Sequence, residues 1–317
     1  MPSSNAARAT FVRPCQLLLI QSAPVWAPVH SHADSWDNSF AVAPCSRKIG
    51  PKRGVLEILV FYVIAGAIAG LLGGLLGIGG GMILVPVLVY TLPAQGVDSA
   101  VLMQTALGTS LATIALTAVS SILAHHRRGS VPWHVVSRMT PGIVLGTLLA
   151  GSLAAVLPGA LLRRGFGAFL LFVALRSLRP PRRDPGRALP GTWRLMGAGG
   201  GIGLLSGLTG IGGGSLTMPY LSRRGLDLKS AIGGAAACGL PIAISGTISY
   251  LIAGRTAAGL APGSSGFIYW PAVAGMGIAT LWCAPYGARL AHRLPERGVR
   301  AIFAGFCVLV GLRMVLA

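Results

Sequence analysis

A glycine-rich segment that occurs twice constrains this chain more than any other feature. Laid over one another at a constant offset of 133, residues 66–88 and 199–221 agree at 13 of 23 positions. The shared core is Gly77-Ile78-Gly79-Gly80-Gly81 followed by Pro86, and Gly210-Ile211-Gly212-Gly213-Gly214 followed by Pro219. Both copies sit in strongly apolar surroundings. Matching glycine interruptions in two hydrophobic halves point to a transporter-like plan, in which broken helices meet near the middle of a bilayer.

Composition agrees with a membrane setting. The 317 residues are 53% hydrophobic and only 10% charged, with a mean hydropathy of +0.71. A chain of this kind reads as an all-α polytopic membrane protein. The formal charge of +19 would suggest nucleic-acid binding if it were spread over a face. Instead it sits in short clusters between apolar runs, such as Lys52-Arg53, Arg127-Arg128, Arg163-Arg164 and Arg223-Arg224. That pattern fits loops meeting anionic headgroups, and aromatic residues are too few, at 7%, for base stacking. No nucleic-acid partner is therefore expected; the lipid bilayer is.

The seven acids are Asp34, Asp37, Glu57, Asp98, Asp184, Asp227 and Glu296, none near the middle of an expected span. An intramembrane carboxylate would be the default proton or sodium carrier. Its absence is compatible with a small anionic substrate. Cys15, Cys45, Cys238, Cys283 and Cys307 show neither a C-x-x-C pair nor metal-ligand spacing, so no disulfide framework, metal or cofactor is expected. His125, His126, His134 and His292 fall at span ends beside arginines, where solvated interfacial roles are expected. The serine at Gly203-Leu-Leu-Ser206-Gly207 lacks nucleophile-elbow spacing, and neither H-E-x-x-H nor a Walker lysine occurs. The chain is not expected to be an enzyme.

Residues 1–53 mix Ser, Pro and Arg without periodicity and read as a disordered extension or an over-long translation start. Residues 54–178 form a first transmembrane repeat, 179–194 a basic Pro/Gly/Arg-rich loop, and 195–317 a second repeat. Expected spans are 56–76 with a short piece at 82–92, then 99–124, 135–157 and 161–178. The second half gives 195–221 across its glycine break, then 231–253, 267–288 and 299–316. This makes about eight transmembrane helices in two repeated halves with glycine-broken helices. Should the broken segments cross twice, the count becomes five plus five with inverted halves; basic residues on both sides leave the two open.

Two readings apply to the glycines. They could hold a ligand, because consecutive glycines permit positive φ and close approach, and a helix starting just after them points unpaired N–H groups at an anion. They could equally serve helix packing, as the four-residue spacing of Gly66, Gly70 and Gly74, repeated at Gly199, Gly203 and Gly207, already does. The candidate substrate-binding residues are Gly77, Gly79, Gly80, Gly81, Gly210, Gly212, Gly213 and Gly214, with Pro86 and Pro219 as helix breaks. Gln104, Thr105, Thr109 and Ser110 add a patch of uncharged donors at the start of an apolar helix. Their counterpart, Ala235 to Pro241, has Cys238 and Pro241 where hydroxyls would be expected. Hydroxyls bonded to their own helix carbonyls are the competing explanation.

At these residues the chain resembles the TauE/SafE, or sulfite-exporter-like, family of membrane permeases. The resemblance rests on Gly77-Ile-Gly-Gly-Gly-Met-Ile-Leu-Val-Pro86 and Gly210-Ile-Gly-Gly-Gly-Ser-Leu-Thr-Met-Pro219, supported by Ala106–Ser110 and Pro285–Pro295. It covers about residues 55–316. It implies a secondary transporter in a bacterial inner membrane, moving a small sulfur-containing anion such as sulfite or an organosulfonate by alternating access. The alternatives are a passive anion channel and, more remotely, a membrane scaffold subunit; a homo-oligomer is compatible with either.

Overall fold

The computed structural model describes residues 55–76, 80–177, 189–291 and 296–316, all within one compact unit spanning 49–317. The expected extension at 1–53 and most of the basic loop lie outside the described residues. The described chain is almost wholly helical: α1 (Val55–Leu76), α2 (Gly81–Thr91), α3 (Leu102–Arg127), α4 (Trp133–Val156), α5 (Gly159–Ser177), α6 (Thr192–Thr209), α7 (Gly214–Ser222), α8 (Leu228–Ala253), α9 (Trp270–Ala291) and α10 (Glu296–Leu316). Between α8 and α9 lies a two-residue antiparallel pair, β1 (Ser264–Ser265) with β2 (Ile268–Tyr269).

Each long apolar run of the sequence is a helix. The stretch 195–221, expected to be interrupted at its glycines, divides there into two helices, α6 and α7. The stretch 56–92 divides in the same way into α1 and α2. The described residues therefore hold ten helices, of which two are short. α3, α4 and α8 are long and apolar enough to cross a membrane by length and composition alone. Their outward faces are apolar too. On α4, Leu145, Leu149 and Val156 are exposed while Met139, Ile143 and Ala150 are buried. A helix apolar on all sides belongs inside a protein or a bilayer, and this one has a bare apolar face.

Helix ends follow local chemistry. Asp227 caps α8, its carboxylate accepting from the Ser230 N–H at 3.2 Å. Hydrogen bonding from the Ser230 side chain, and then from its N–H, holds the Asp227 carboxyl below the usual carboxylate range. After α2, Pro93 opens a 3-10 turn that Gly96 ends at φ +88°, which an L side chain would resist.

Packing depends on bare backbone. α1 lies on α9, α6 on α4, α3 on α8 and α5 on α10, with α2 against α3 and α7 against α8. A Cβ on Gly66 would stand 2.6 Å from the Met276 carbonyl, and one on Gly70 2.8 Å from the Thr280 Cα. On the other pair, Gly199 and Gly203 meet the carbonyls of Met139 and Ile143 at 2.5 and 2.4 Å by the same measure. Gly66 and Gly70, like Gly199 and Gly203, thus lie at helix crossings, where only glycine lets the axes approach this closely.

Candidate binding site at the glycine breaks

The four-glycine cores connect a long helix to a short one in each case. Gly77 and Gly79 lie outside the described residues. Gly80 has φ +71° and forms the N-cap of α2. In the second copy Gly210, at φ +63°, closes α6 in the left-handed region. There the Ile211 N–H donates to the Ser206 carbonyl at 3.0 Å. Gly213, the N-cap of α7, has an ordinary φ of −58°.

The two breaks touch. A Cβ on Gly81 would lie 2.8 Å from the Gly210 carbonyl oxygen and 3.1 Å from the Ile211 Cα. α3 runs past both, with Leu107 against Gly210 and Ile114 against Gly81 and Gly212. α8 closes the other side of the second break, where Ile242 and Ala235 flank Gly213 and the bare face of Gly239 is 3.9 Å from the Gly213 nitrogen.

The polar patch of α3 is put to several uses. Ser110 donates to the Gly210 carbonyl at 2.8 Å, tying α3 to the second break. Thr109 Oγ1 accepts from the Tyr269 N–H at 3.0 Å. Thr105 bonds the Val101 carbonyl of its own helix at 2.8 Å. The Gln104 amide donates to the Leu157 carbonyl at 3.2 Å, at the far end of α4. Of these four, Ser110 is the residue brought to a glycine break. Pro86 and Pro219 both lie inside the short helices they were expected to shape.

The structure adds hydroxyls that the sequence expectation does not contain. Ser206 and Thr217 are both fully buried, at 0% exposure, and their hydroxyls have no hydrogen-bond partner. Ser215, at the start of α7, has an unpartnered buried hydroxyl as well. Thr217 Oγ1 stands 3.1 Å from the position a Cβ would take on Gly213, so it faces the N-cap. A signal is present at the offset of 133: Ser206 replaces Gly73, Ser215 replaces Met82 and Thr217 replaces Leu84.

Physically, the start of α7 carries backbone donors that its own helix does not use. The first N–H groups of any helix lack intrahelical partners, and α7 has no side-chain cap to satisfy them. A buried polar group without a partner costs about 1–3 kcal/mol. A ligand carrying several acceptor oxygens would relieve the amides and hydroxyls together, and the positive end of the helix favours negative charge. The carboxylates nearby in sequence are committed elsewhere, Asp227 to capping α8 and Asp98 to the Ala100 N–H at 3.0 Å.

Comparison with known proteins gives a consistent picture. The family described as sulfite exporter TauE/SafE matches residues 62–314. A probable membrane transporter protein of Haemophilus influenzae is 35% identical over 264 residues, covering 83% of this chain and all of that protein. One from Methanocaldococcus jannaschii is 28% identical over 273 residues, covering 82% of this chain and 97% of its own length. A third, from Bacillus subtilis, is 28% identical over 229 residues, or 65% of this chain and 84% of the relative. No solved structure gives a significant match.

Proposed function

This chain belongs to the sulfite exporter TauE/SafE family, and we propose that it is a secondary transporter carrying a small sulfur-containing anion, such as sulfite or an organosulfonate, by alternating access. It is an integral membrane protein, and the bacterial inner membrane is its proposed location. The observation that carries this reading is the second glycine break: an uncapped helix start faced by the unpartnered, fully buried hydroxyl of Thr217. Neutral donors can hold an anion in an apolar interior without a permanently buried charge.

The helix pairing supports two related halves. α1 packs on α9 as α6 packs on α4, while α3 with α8 and α5 with α10 pair across the halves. Exchanging first-half for second-half helices maps this set of pairs onto itself. In the proposed architecture the eight long helices cross the membrane, and α2 and α7 are short pieces meeting at its middle. Inverted or parallel, such halves rocking about a central site give alternating access.

The test is uptake of radiolabelled sulfite into proteoliposomes, with thiosulfate and sulfoacetate as competitors. Saturable uptake is expected, and Gly213→Leu should abolish it while the helical circular dichroism persists. The added side chain first meets the flexible end of Ile242 and Thr217 Oγ1, with the Ala235 carbonyl of α8 at ordinary contact distance of 3.5 Å. Normal uptake by folded Gly213→Leu would remove the second break from the site. No uptake of any sulfur anion by folded wild-type protein would remove the substrate class.

A further inference from the structure

Resting on the transport reading, we infer that the second break selects its substrate by charge state, taking a singly charged oxyanion such as hydrogen sulfite or a sulfonate and rejecting dianions. The donors at the site are the amides at the start of α7, the Thr217 hydroxyl that faces its N-cap, and the Ser215 hydroxyl of its first turn, all uncharged. Thr217 is fully buried and unpartnered, and its hydroxyl faces the N-cap at Gly213, which distinguishes this helix start from a bare N-terminus.

Charged and titratable groups on the elements packed around the break lie toward their ends. α3 carries His125, His126 and Arg127 in its last turn. α4 carries His134 and Arg138 near its start, both exposed. Arg194 stands at the start of α6 and Lys229 at the start of α8. Lys229 precedes Ala235, the α8 residue beside Gly213, by nearly two turns, or about 9 Å of helix. Arg224, beyond the end of α7, lies over the ring of Tyr220 at 5.4 Å. Cys238 and Tyr250 of α8 are buried. Tyr250 already donates to the Gly207 carbonyl at 3.0 Å. Among the described residues, therefore, no cation meets the anion at this break.

Charge state then decides the outcome. The self-energy of an ion in a low-dielectric region rises with the square of its charge, so a dianion costs about four times as much to bring in as a monoanion. Dipoles and hydroxyls interact in proportion to charge, not its square, so they compensate a monoanion far better. Sulfite gains a proton near neutrality, and the protonated form is also a hydrogen-bond donor. Methanesulfonate is a monoanion throughout, and sulfate a dianion. A titrating substrate would make transport respond to pH without a titrating protein carboxylate.

The test is sulfite uptake into proteoliposomes across mildly acidic to mildly alkaline pH, at subsaturating sulfite, with the membrane potential clamped and the leak of protein-free liposomes subtracted. On the alkaline side, uptake should fall about tenfold per pH unit, following the protonated fraction. Methanesulfonate should compete equally at every pH, and sulfate at none. Thr217→Val, which removes an unpaired hydroxyl and should fold normally, should raise KM for sulfite about tenfold. Flat or rising uptake with pH overturns the inference, as does competition by sulfate equal to that by sulfite. So does a pH-dependent uptake that methanesulfonate cannot inhibit, because the proton would then reside on the protein. Unchanged KM in Thr217→Val displaces the site from α7. Absence of saturable uptake of either monoanion is a separate result, which removes the transport reading itself.

Discussion

The two glycine breaks share five residues and differ in the short helix each one leads into. After Gly81, α2 begins Met82-Ile83-Leu84-Val85, all buried, with Leu84 only 1% exposed. After Gly214, α7 begins Ser215-Leu216-Thr217, and Thr217 is equally buried with its hydroxyl unpartnered. The same five-residue motif thus leads into apolar side chains in one half and into unmet polar groups in the other. The repeated sequence is shared by both breaks, and the positions where the copies differ carry the polarity. The described end of the first break bears on the second, because Gly81 packs directly on the Gly210 carbonyl.

The largest effect should come from destroying that contact. Gly81→Val drives a side chain into backbone, 2.8 Å from the Gly210 oxygen and 3.1 Å from the Ile211 Cα, neither of which can rotate away. Overpacking of this kind costs about 1–3 kcal/mol and occasionally more. Thermal unfolding of the detergent-purified protein should show a clear drop in midpoint. Gly212→Val is the control, since its Cβ position has the Ile114 methyl at 3.3 Å as its near neighbour. Equal midpoints for Gly81→Val and wild type would mean that the breaks do not bear on one another.

Much of the fold is legible without the structure, and the reason is periodicity. Runs such as 99–124 and 135–157 are apolar over a full membrane crossing, and α3 and α4 fall on them. The stripe of Gly66 and Gly70 announces a close crossing, yet not with which helix: a bare face carries no information about its partner, so the pairing with α9 appears only in three dimensions. The division of 195–221 into α6 and α7 is hidden because consecutive glycines are compatible with a kink, a re-entrant turn or a full break. The candidate site is legible in its backbone and less so in its side chains. Hydroxyls on α3 stand out as a cluster, but whether Thr105 faces a ligand or its own Val101 carbonyl is a rotamer choice that composition does not express. Ser206, Ser215 and Thr217 escape a reading guided by similarity between the copies, since these positions are where the copies differ.

A second pair of substitutions separates stability from transport. Gly80 sits at φ +71°, so Gly80→Ala forces an L residue into the left-handed region, at about 1–2 kcal/mol. Gly213 has φ −58°, where alanine is at ease and the chain entropy gained offsets a small shift of the Ile242 side-chain end, 2.8 Å from the new methyl. The net change for Gly213→Ala should stay within about 1 kcal/mol. Its methyl nevertheless lies 3.1 Å from Thr217 Oγ1 and should crowd the anion. The expected pattern is a lowered melting midpoint with near-normal KM for Gly80→Ala, and a near-normal midpoint with raised KM for Gly213→Ala. The reverse pattern would assign the anion to the first break.

The smallest effect concerns how the second break is held. Ser110 and Thr113 lie three residues apart on α3, and both are fully buried. Ser110 donates to the Gly210 carbonyl, whereas Thr113 donates to the Thr109 carbonyl of its own helix at 2.9 Å. Ser110→Ala leaves a buried carbonyl of the break short of its partner, a loss of about 1 kcal/mol. Thr113→Val removes a bond internal to the helix, where the Thr109 carbonyl retains its helical role. Amide hydrogen exchange across residues 206–214 should quicken in Ser110→Ala and stay unchanged in Thr113→Val. KM for the anion should rise a few-fold in the first alone, because a looser loop must be ordered each time the substrate binds. Equal behaviour of the two variants would reduce Ser110 to helix packing and leave the geometry of the break to its glycines and to α8.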